Sequence, residues 1–311
     1  MDTAVSHEVS CPCCTEQNCE QLYDLPLGEF FAGKWVDPGL PGGSMMGCRT
    51  CHLHFRWPRL SKHEMDVLYE AGSETNWTAE AGMRQDWRRV QKQIEQLTLS
   101  DPSILDIACF DGRFLELLPN QFKKSGVEIQ PEAAQRASDR GVEIIANNFE
   151  ELEDCQREFS VVTAFDILEH THHPLQFIER ASKLLAPGGY LIIGTGNTDA
   201  VSWKIMGRYY WYSATVEHIA FVNRRWCQYV GNQLGLDVAR FETLSHKRMG
   251  SAKIARDWAL NVLFRCSPAL TRGSIRTLRR VVGSQKETSP TYLPPWHSAK
   301  DHLLVTFQKP E

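Results

Sequence analysis

A chain of 311 residues has room for two domains, or for one enlarged domain with appendages. With 42% apolar and 23% charged residues it can bury a sizeable core, and a net charge of −4 gives no global argument for nucleic acid. The N-terminus MDTAVSHEVSCPCC has no apolar stretch of the secretory kind, and runs such as Tyr190–Ile193 are too short to span a bilayer, so a cytoplasmic protein with reduced thiols is expected.

Five of the ten cysteines fall within residues 11–48. Cys11-Pro12-Cys13-Cys14 and Cys48-Arg49-Thr50-Cys51 form two C-x-x-C knuckles with 33 residues between them. Each knuckle turns two thiolates toward one ion, and four thiolates close a tetrahedral zinc site with no open position, so Cys11, Cys14, Cys48 and Cys51 are the expected ligands of a structural Zn2+. Cys13, Cys19, His52 and His54 are available substitutes, and unrelated free thiols are the alternative. Residues 1–60 are thus expected to form a zinc-binding module, with at most a short helix and with a hairpin or small loop filling the stretch between the knuckles.

Residues 61–100 read as a helical linker. Ser61 can cap a helix in which Met65, Leu68 and Tyr69 share a face, and a second helix over Glu80–Leu97 carries Trp87, Val90, Ile94 and Leu97. Asp101-Pro102 marks a boundary.

From Ser103 short apolar strands alternate with helices. Strands are predicted at Ile104–Ala108, Gly126–Ile129, Val142–Ala146, Phe159–Ile167, Tyr190–Gly194, Leu236–Thr243 and His302–Phe307. Helices are predicted at Gly112–Leu118, from Pro131 to Gly141, at Pro174–Leu185 and at Arg224–Leu234. This alternation predicts an α/β fold over residues 101–311, a doubly wound, mostly parallel, seven-stranded Rossmann-like sheet. Segments 201–222, rich in aromatics, and 248–295, helical and basic, interrupt the rhythm and are expected to be substrate or lid insertions.

Ligands of such sheets lie beyond the carboxyl ends of the strands. Asp106-Ile107-Ala108-Cys109-Phe110-Asp111-Gly112 runs from the first of these strands into a turn and helix, and Glu128 ends the next strand, where an acid suits two ribose hydroxyls. The segment resembles the first motif of class I S-adenosylmethionine-dependent methyltransferases, Asp-x-Gly-x-Gly-x-Gly. Ala108 and Phe110 stand in place of its first two glycines, and the Phe110 side chain is expected to crowd or wall the cofactor's amino-acid end. Further motifs are similar to that family in order and spacing over roughly Ser103–Leu244: Ala146-Asn147-Asn148-Phe149, Ala164-Phe165-Asp166-Ile167-Leu168-Glu169-His170, and Leu184-Leu185-Ala186-Pro187-Gly188-Gly189. The resemblance implies S-adenosylmethionine as cofactor, held by Asp106, Ala108, Phe110, Gly112, Glu128, Ile129, Asn148, Phe149, Phe165 and Asp166.

Paired cysteines ahead of such a domain resemble sugar and polysaccharide-pathway methyltransferases, and also ribosomal RNA methyltransferases with a zinc module. Leu53-His54-Phe55-Arg56-Trp57-Pro58 and Tyr69–Trp77 are more similar to the first group. The implied partner is a small molecule, a saccharide or a nucleotide- or lipid-linked sugar. RNA is the alternative, although the N-terminal module is not strongly basic; a non-catalytic scaffold, made thinkable by Phe110, is another.

Methyl transfer to a hydroxyl or carbon acid needs a base, and His170 and His218 are the candidates; loop-fixing roles for both stand beside that reading. Trp203, Tyr209, Tyr210, Trp211 and Tyr212 suit a stacking surface or a hydrophobic lid. Between Lys247 and Lys286 ten Lys or Arg face one acid, Asp257. Ile275, Leu278, Val281 and Val282 share a face there beside Arg272, Arg276, Arg279 and Arg280, so peripheral membrane contact through residues 272–282 is one expectation, phosphate binding or a solvated face another.

Overall fold

The computed structural model describes residues 9–31, 34–70, 84–245, 249–281 and 293–311. Thirteen strands follow in chain order among them: β1 Cys19–Asp24, β2 Gly28–Phe31, β3 Lys34–Leu40, β4 Ser44–Cys48, β5 His54–Trp57, β6 Ser103–Ile107, β7 Lys123–Val127, β8 Glu143–Ala146, β9 Phe159–Phe165, β10 Leu185–Gly196, β11 Ala220–Phe221, β12 Asp237–Leu244 and β13 His302–Gln308.

Seven of these strands form one sheet in the order β12-β13-β10-β9-β6-β7-β8. β8, β7, β6, β9 and β10 are parallel, and β13 inserts antiparallel between β10 and β12. The expected α/β architecture is therefore present. β6 is buried along its whole length and β9 nearly so, which is why they read as continuous apolar runs. The chain order reverses between β6 and β9, and that switch point opens a crevice at their carboxyl ends. Helices Pro131–Asp139, Pro174–Lys183 and Arg224–Leu234 cover the sheet. The first two begin on proline, whose fixed φ suits a first turn.

Residues 9–60 differ in part from expectation. Their described residues form strands and no helix, in a sheet ordered β1-β4-β5-β11, while the β2–β3 hairpin between the two knuckles is the hairpin expected there. β1 is mostly exposed and shows no apolar alternation, so periodicity had nothing to report. β11 lies far along the chain and pairs with β5 through Ala220 and Phe55. Cys11, Cys48, Cys51, Leu53 and Phe55 share one buried core with Ile107, Val162, Trp226 and Val230.

Ser61 does cap the helix Lys62–Glu70, exchanging bonds with Glu64: the Glu64 N–H reaches the Ser61 hydroxyl at 3.2 Å and the Ser61 N–H reaches Glu64 Oε2 at 2.7 Å. The second helix is seen over Gln85–Ile94, and its expected start at Glu80 lies outside the described residues. The basic insertion forms helices Ser251–Cys266 and Pro268–Val281. The side chains of Arg276, Leu278, Arg279, Arg280 and Val281, and residue Val282, lie outside the described set.

Candidate functional site

The loop after β6 takes an unusual backbone. Ala108, Phe110 and Gly112 all have positive φ, at 59°, 49° and 76°. They occupy the three glycine positions of the motif, so the loop keeps the conformation that glycines would ease even though two are replaced. A non-glycine residue there costs about 1–2 kcal/mol. Gly112 also has a packing reason: a Cβ would meet the Ala137 Cα at 3.0 Å.

Glu128 holds this loop in place. Its Oε2 accepts from the Phe110 N–H at 2.9 Å and its Oε1 from the Gln130 N–H at 2.9 Å. Each oxygen keeps a lone pair for a further donor. Burial pushes the Glu128 carboxyl upward against the pull of these N–H groups. The Phe110 ring lies beneath the guanidinium of Arg136, 5.7 Å from its carbon. Next to Glu128, Ile129 is 71% exposed, unusual for an isoleucine beside a buried acid.

Asp106 is buried under the loop, where its Oδ1 accepts from the Thr163 hydroxyl at 2.6 Å. Burial pushes its carboxyl up to about 7, the Thr163 bond opposing and the nearby Glu128 charge adding. At the end of β9, Asp166 also has positive φ, 51°, and pairs with Arg84 at 2.6 Å. Arg84 simultaneously binds Asp86. Sequence reading missed Arg84, because it precedes the helix Gln85–Ile94 and the preceding stretch gives no motif. Phe165 packs edge-on against Phe114 at 4.8 Å. The Asn148 side chain caps the turn Phe149–Leu152, its Oδ1 accepting from the Glu151 N–H at 3.1 Å and its amide donating to Glu151 Oε1 at 2.8 Å. Phe149 packs on Phe177 at 5.0 Å.

Beyond β9 the structure gathers Glu169, His170 and His218, with ligand-type atoms within 4.8 Å of one another. Glu169 is buried and accepts from the Thr195 hydroxyl at 2.7 Å and the Tyr212 hydroxyl at 2.5 Å. Nδ1 of His218 lies 2.9 Å from the Tyr212 carbonyl, which can only accept, so Nδ1 carries the proton and Nε2 the lone pair. Burial, with His170 adding, holds His218 well below the ordinary imidazole range. His170 stands edge-on to His218 at 4.9 Å, its Nδ1 within 2.9 Å of the Tyr69 hydroxyl and 3.1 Å of the Glu217 carbonyl. The loop carrying His218 is fixed by Arg56 from β5, whose buried guanidinium donates to the carbonyls of Ser213 (2.8 Å), Thr215 (3.0 Å), His218 (3.2 Å) and Gly42. Burial lowers the Arg56 guanidinium to about 10.

The aromatic insertion forms part of the core, with Tyr209 and Trp211 half-buried at its border. Trp203, Tyr210 and Tyr212 are buried, and the Trp203 indole donates to the Tyr23 hydroxyl at 2.9 Å. Gly196 is required there, since a Cβ would meet the Tyr212 ring at 2.4 Å.

At the N-terminus the sulfurs of Cys11 and Cys51 lie 3.4 Å apart, and those of Cys14 and Cys48 3.5 Å apart, with all four within 4.8 Å. Tetrahedral bonds of about 2.3 Å set sulfurs roughly 3.8 Å apart, so the donor set fits zinc. Among the described residues the substitutes stand outside this cluster: Cys13 Sγ accepts from the Trp226 indole at 3.3 Å, and Cys19 Sγ turns to the Glu16 carbonyl at 3.6 Å.

A doubly wound α/β sheet with an acid-anchored loop at its switch point is the arrangement in which open sheets of this kind bind ligands. A family described as "Methyltransferase domain" matches residues 80–240, just over half of the chain, and the chain belongs to that family. It is 34% identical over 101 residues to an uncharacterized protein of Methanocaldococcus jannaschii, covering 32% of this chain and 48% of that one. It is 25% identical over 190 residues to the ubiquinone biosynthesis O-methyltransferase of Coxiella burnetii, covering 55% and 80% respectively. The chain thus spans about half the length of the first of these relatives. The N-methyltransferase NodS of Bradyrhizobium japonicum, solved with S-adenosyl-L-homocysteine, superposes over 79% of this chain and 97% of its own, with 17% identity and a TM-score of 0.43.

Proposed function

We propose that this protein transfers a methyl group from S-adenosylmethionine to a hydroxyl of a small molecule. The observation that carries this reading is the anchoring of Phe110 by Glu128, which leaves a carboxylate lone pair at each oxygen beside the positive-φ loop. The cofactor supplies an electrophilic methyl group on a sulfonium. Glu128 would accept from its ribose hydroxyls, and Ile129, Asn148 and Phe149 would hold the adenine. Asp106, once ionised, would attract the ammonium of its methionine part, and the Asp166–Arg84 ion pair would border it. Ala108, Phe110 and Gly112 shape the loop, and Phe165 walls the crevice.

His170 is the proposed base. Its Nδ1 is held by Tyr69 and Glu217, which turns Nε2 toward the acceptor, whereas burial makes His218 a weak base better suited to orienting. An oxygen acceptor accords with this base and with the O-methyltransferase activity of the Coxiella relative; a saccharide accords with the sequence resemblance. Cys11, Cys14, Cys48 and Cys51 hold a structural zinc ion in this reading.

Calorimetry with S-adenosylmethionine, followed by transfer of labelled methyl to sugar and to phenol acceptors, tests the proposal. Binding with transfer to a hydroxyl is expected. A folded, zinc-loaded protein that binds no S-adenosylmethionine, or that methylates only RNA, overturns it.

A further inference from the structure

Helix Ser251–Cys266 is built inside out. Its buried seam consists of Asp257, Asn261 and Phe264, of which two are polar. The chain around Pro295 meets part of that polar seam: Asp257 Oδ2 accepts from the Ser298 N–H at 3.1 Å, and the Asn261 amide, which donates to the Asp257 carbonyl at 2.9 Å, also faces the Pro295 carbonyl at 3.4 Å. The apolar residues face solvent instead. Ile254, Trp258 and Val262 follow at i, i+4 and i+8 as one exposed stripe, and Ala255, Ala259 and Leu263 form the adjoining one. Leu263 is 62% exposed, and Leu270 at the start of the next helix is 72% exposed. Trp258 is anchored edge-on to buried Trp296 at 4.7 Å, which fixes the stripe rigidly.

Charge identifies the occupant. Lys253, Arg256 and Arg265 border the stripes and are exposed, while the single acid of residues 249–281, Asp257, is buried. Asp257 answers Arg256 at 3.6 Å, and a second copy of the chain meeting this face about a twofold axis would set the remaining cations, Lys253 and Arg265, against themselves. An anionic bilayer surface answers both features, taking the apolar stripes into the acyl boundary and the cations among the headgroups. Among the described residues no helix is long and apolar enough to cross a membrane, so the helix lies on the surface. It packs on helix Val201–Met206, which follows the carboxyl end of β10, and the Arg265 guanidinium donates to the Ile205 carbonyl at 3.1 Å. The same edge of the sheet carries the crevice.

We propose that helix Ser251–Cys266, with Leu270, is an interfacial element that binds anionic membranes and brings the carboxyl edge of the sheet to the bilayer. The contact lies on the apolar stripes of this helix and is independent of methyl transfer.

The test is co-sedimentation of the full, zinc-loaded chain with vesicles of phosphatidylcholine alone and of phosphatidylcholine with equal phosphatidylglycerol. Binding is expected only to the anionic vesicles and weakens in salt of about 0.5 M. The double variant L263E/L270E, at exposed positions, is expected to bind at least about tenfold more weakly with an unchanged melting curve. K253E/R256E is expected to weaken binding in the same direction. The proposal falls if the wild type remains in the supernatant with anionic vesicles, or if both variants sediment as it does. It falls equally if sedimentation equilibrium finds a dimer that L263E/L270E dissolves, since a second copy would then cover the face.

Discussion

The indole N–H of Trp226 donates to the sulfur of Cys13 at 3.3 Å, across 213 residues of sequence. One partner sits inside the first cysteine knuckle and the other on a helix that covers the large sheet. Asn223 strengthens the joint: its Oδ1 caps that helix through the Trp226 N–H, and its amide donates to the His52 carbonyl at 2.9 Å. The cysteine module and the sheet therefore share one packed interior.

Metal removal is expected to destabilise the whole chain. A structural zinc contributes on the order of 10 kcal/mol of apparent binding free energy, and β11, Trp226 and Asn223 transmit its loss to the sheet. Chelation, or Cys48→Ser, should lower the melting temperature of a single cooperative transition, followed by circular dichroism. Identical melts with and without metal would show the cluster to be four free thiols.

Ala108 is exposed and has φ 59°, so Ala108→Gly removes steric strain without opening a cavity. After the entropic penalty of glycine the net gain is about 0.5–1 kcal/mol. Chemical denaturation should report increased stability. A loss of stability would mean that the loop does not hold this conformation in solution.

Glu128→Gln retains a shape but loses the charge and one acceptor oxygen. Charge-assisted hydrogen bonds contribute about 1.5–3 kcal/mol, so S-adenosylmethionine affinity should fall roughly tenfold to a hundredfold by calorimetry. Unchanged affinity would remove the ribose role.

The folded-state carboxyl of Asp106 lies at about 7, above its ordinary 3.8. A raised carboxyl stabilises the fold below the unfolded value and loses that contribution as pH rises through about 7. The free protein should therefore lose stability between about pH 4 and 7 through this group. Cofactor affinity should run the other way, rising until Asp106 is ionised and able to meet an ammonium group, then levelling. Asp106→Asn should flatten that profile; a profile that stays the same would exclude Asp106 from ammonium recognition.

His170→Ala should reduce kcat by about 10²–10⁴ while leaving cofactor affinity intact. Tyr69→Phe, which removes the 2.9 Å contact to Nδ1, should lower kcat by a smaller factor and leave KM unchanged. If His218→Ala proves the more damaging of the two histidine variants, the roles assigned to the pair are reversed.

Local chemistry made much of this protein legible in its sequence. Buried parallel strands such as Ser103–Ile107 announce themselves as continuous apolar runs, Pro131 and Gly141 punctuate a helix, and paired knuckles imply four converging sulfurs, because each signal is contained in a few adjacent residues. Tertiary structure alone decided what depends on distant partners. Strand β11 exists against β5, Trp203 and Tyr212 are buried because other segments cover them, and Arg84 meets Asp166 only after the sheet has closed. The helix Ser251–Cys266 illustrates the limit best: its residues are ordinary, but which face is buried was set by the polar partners around Pro295.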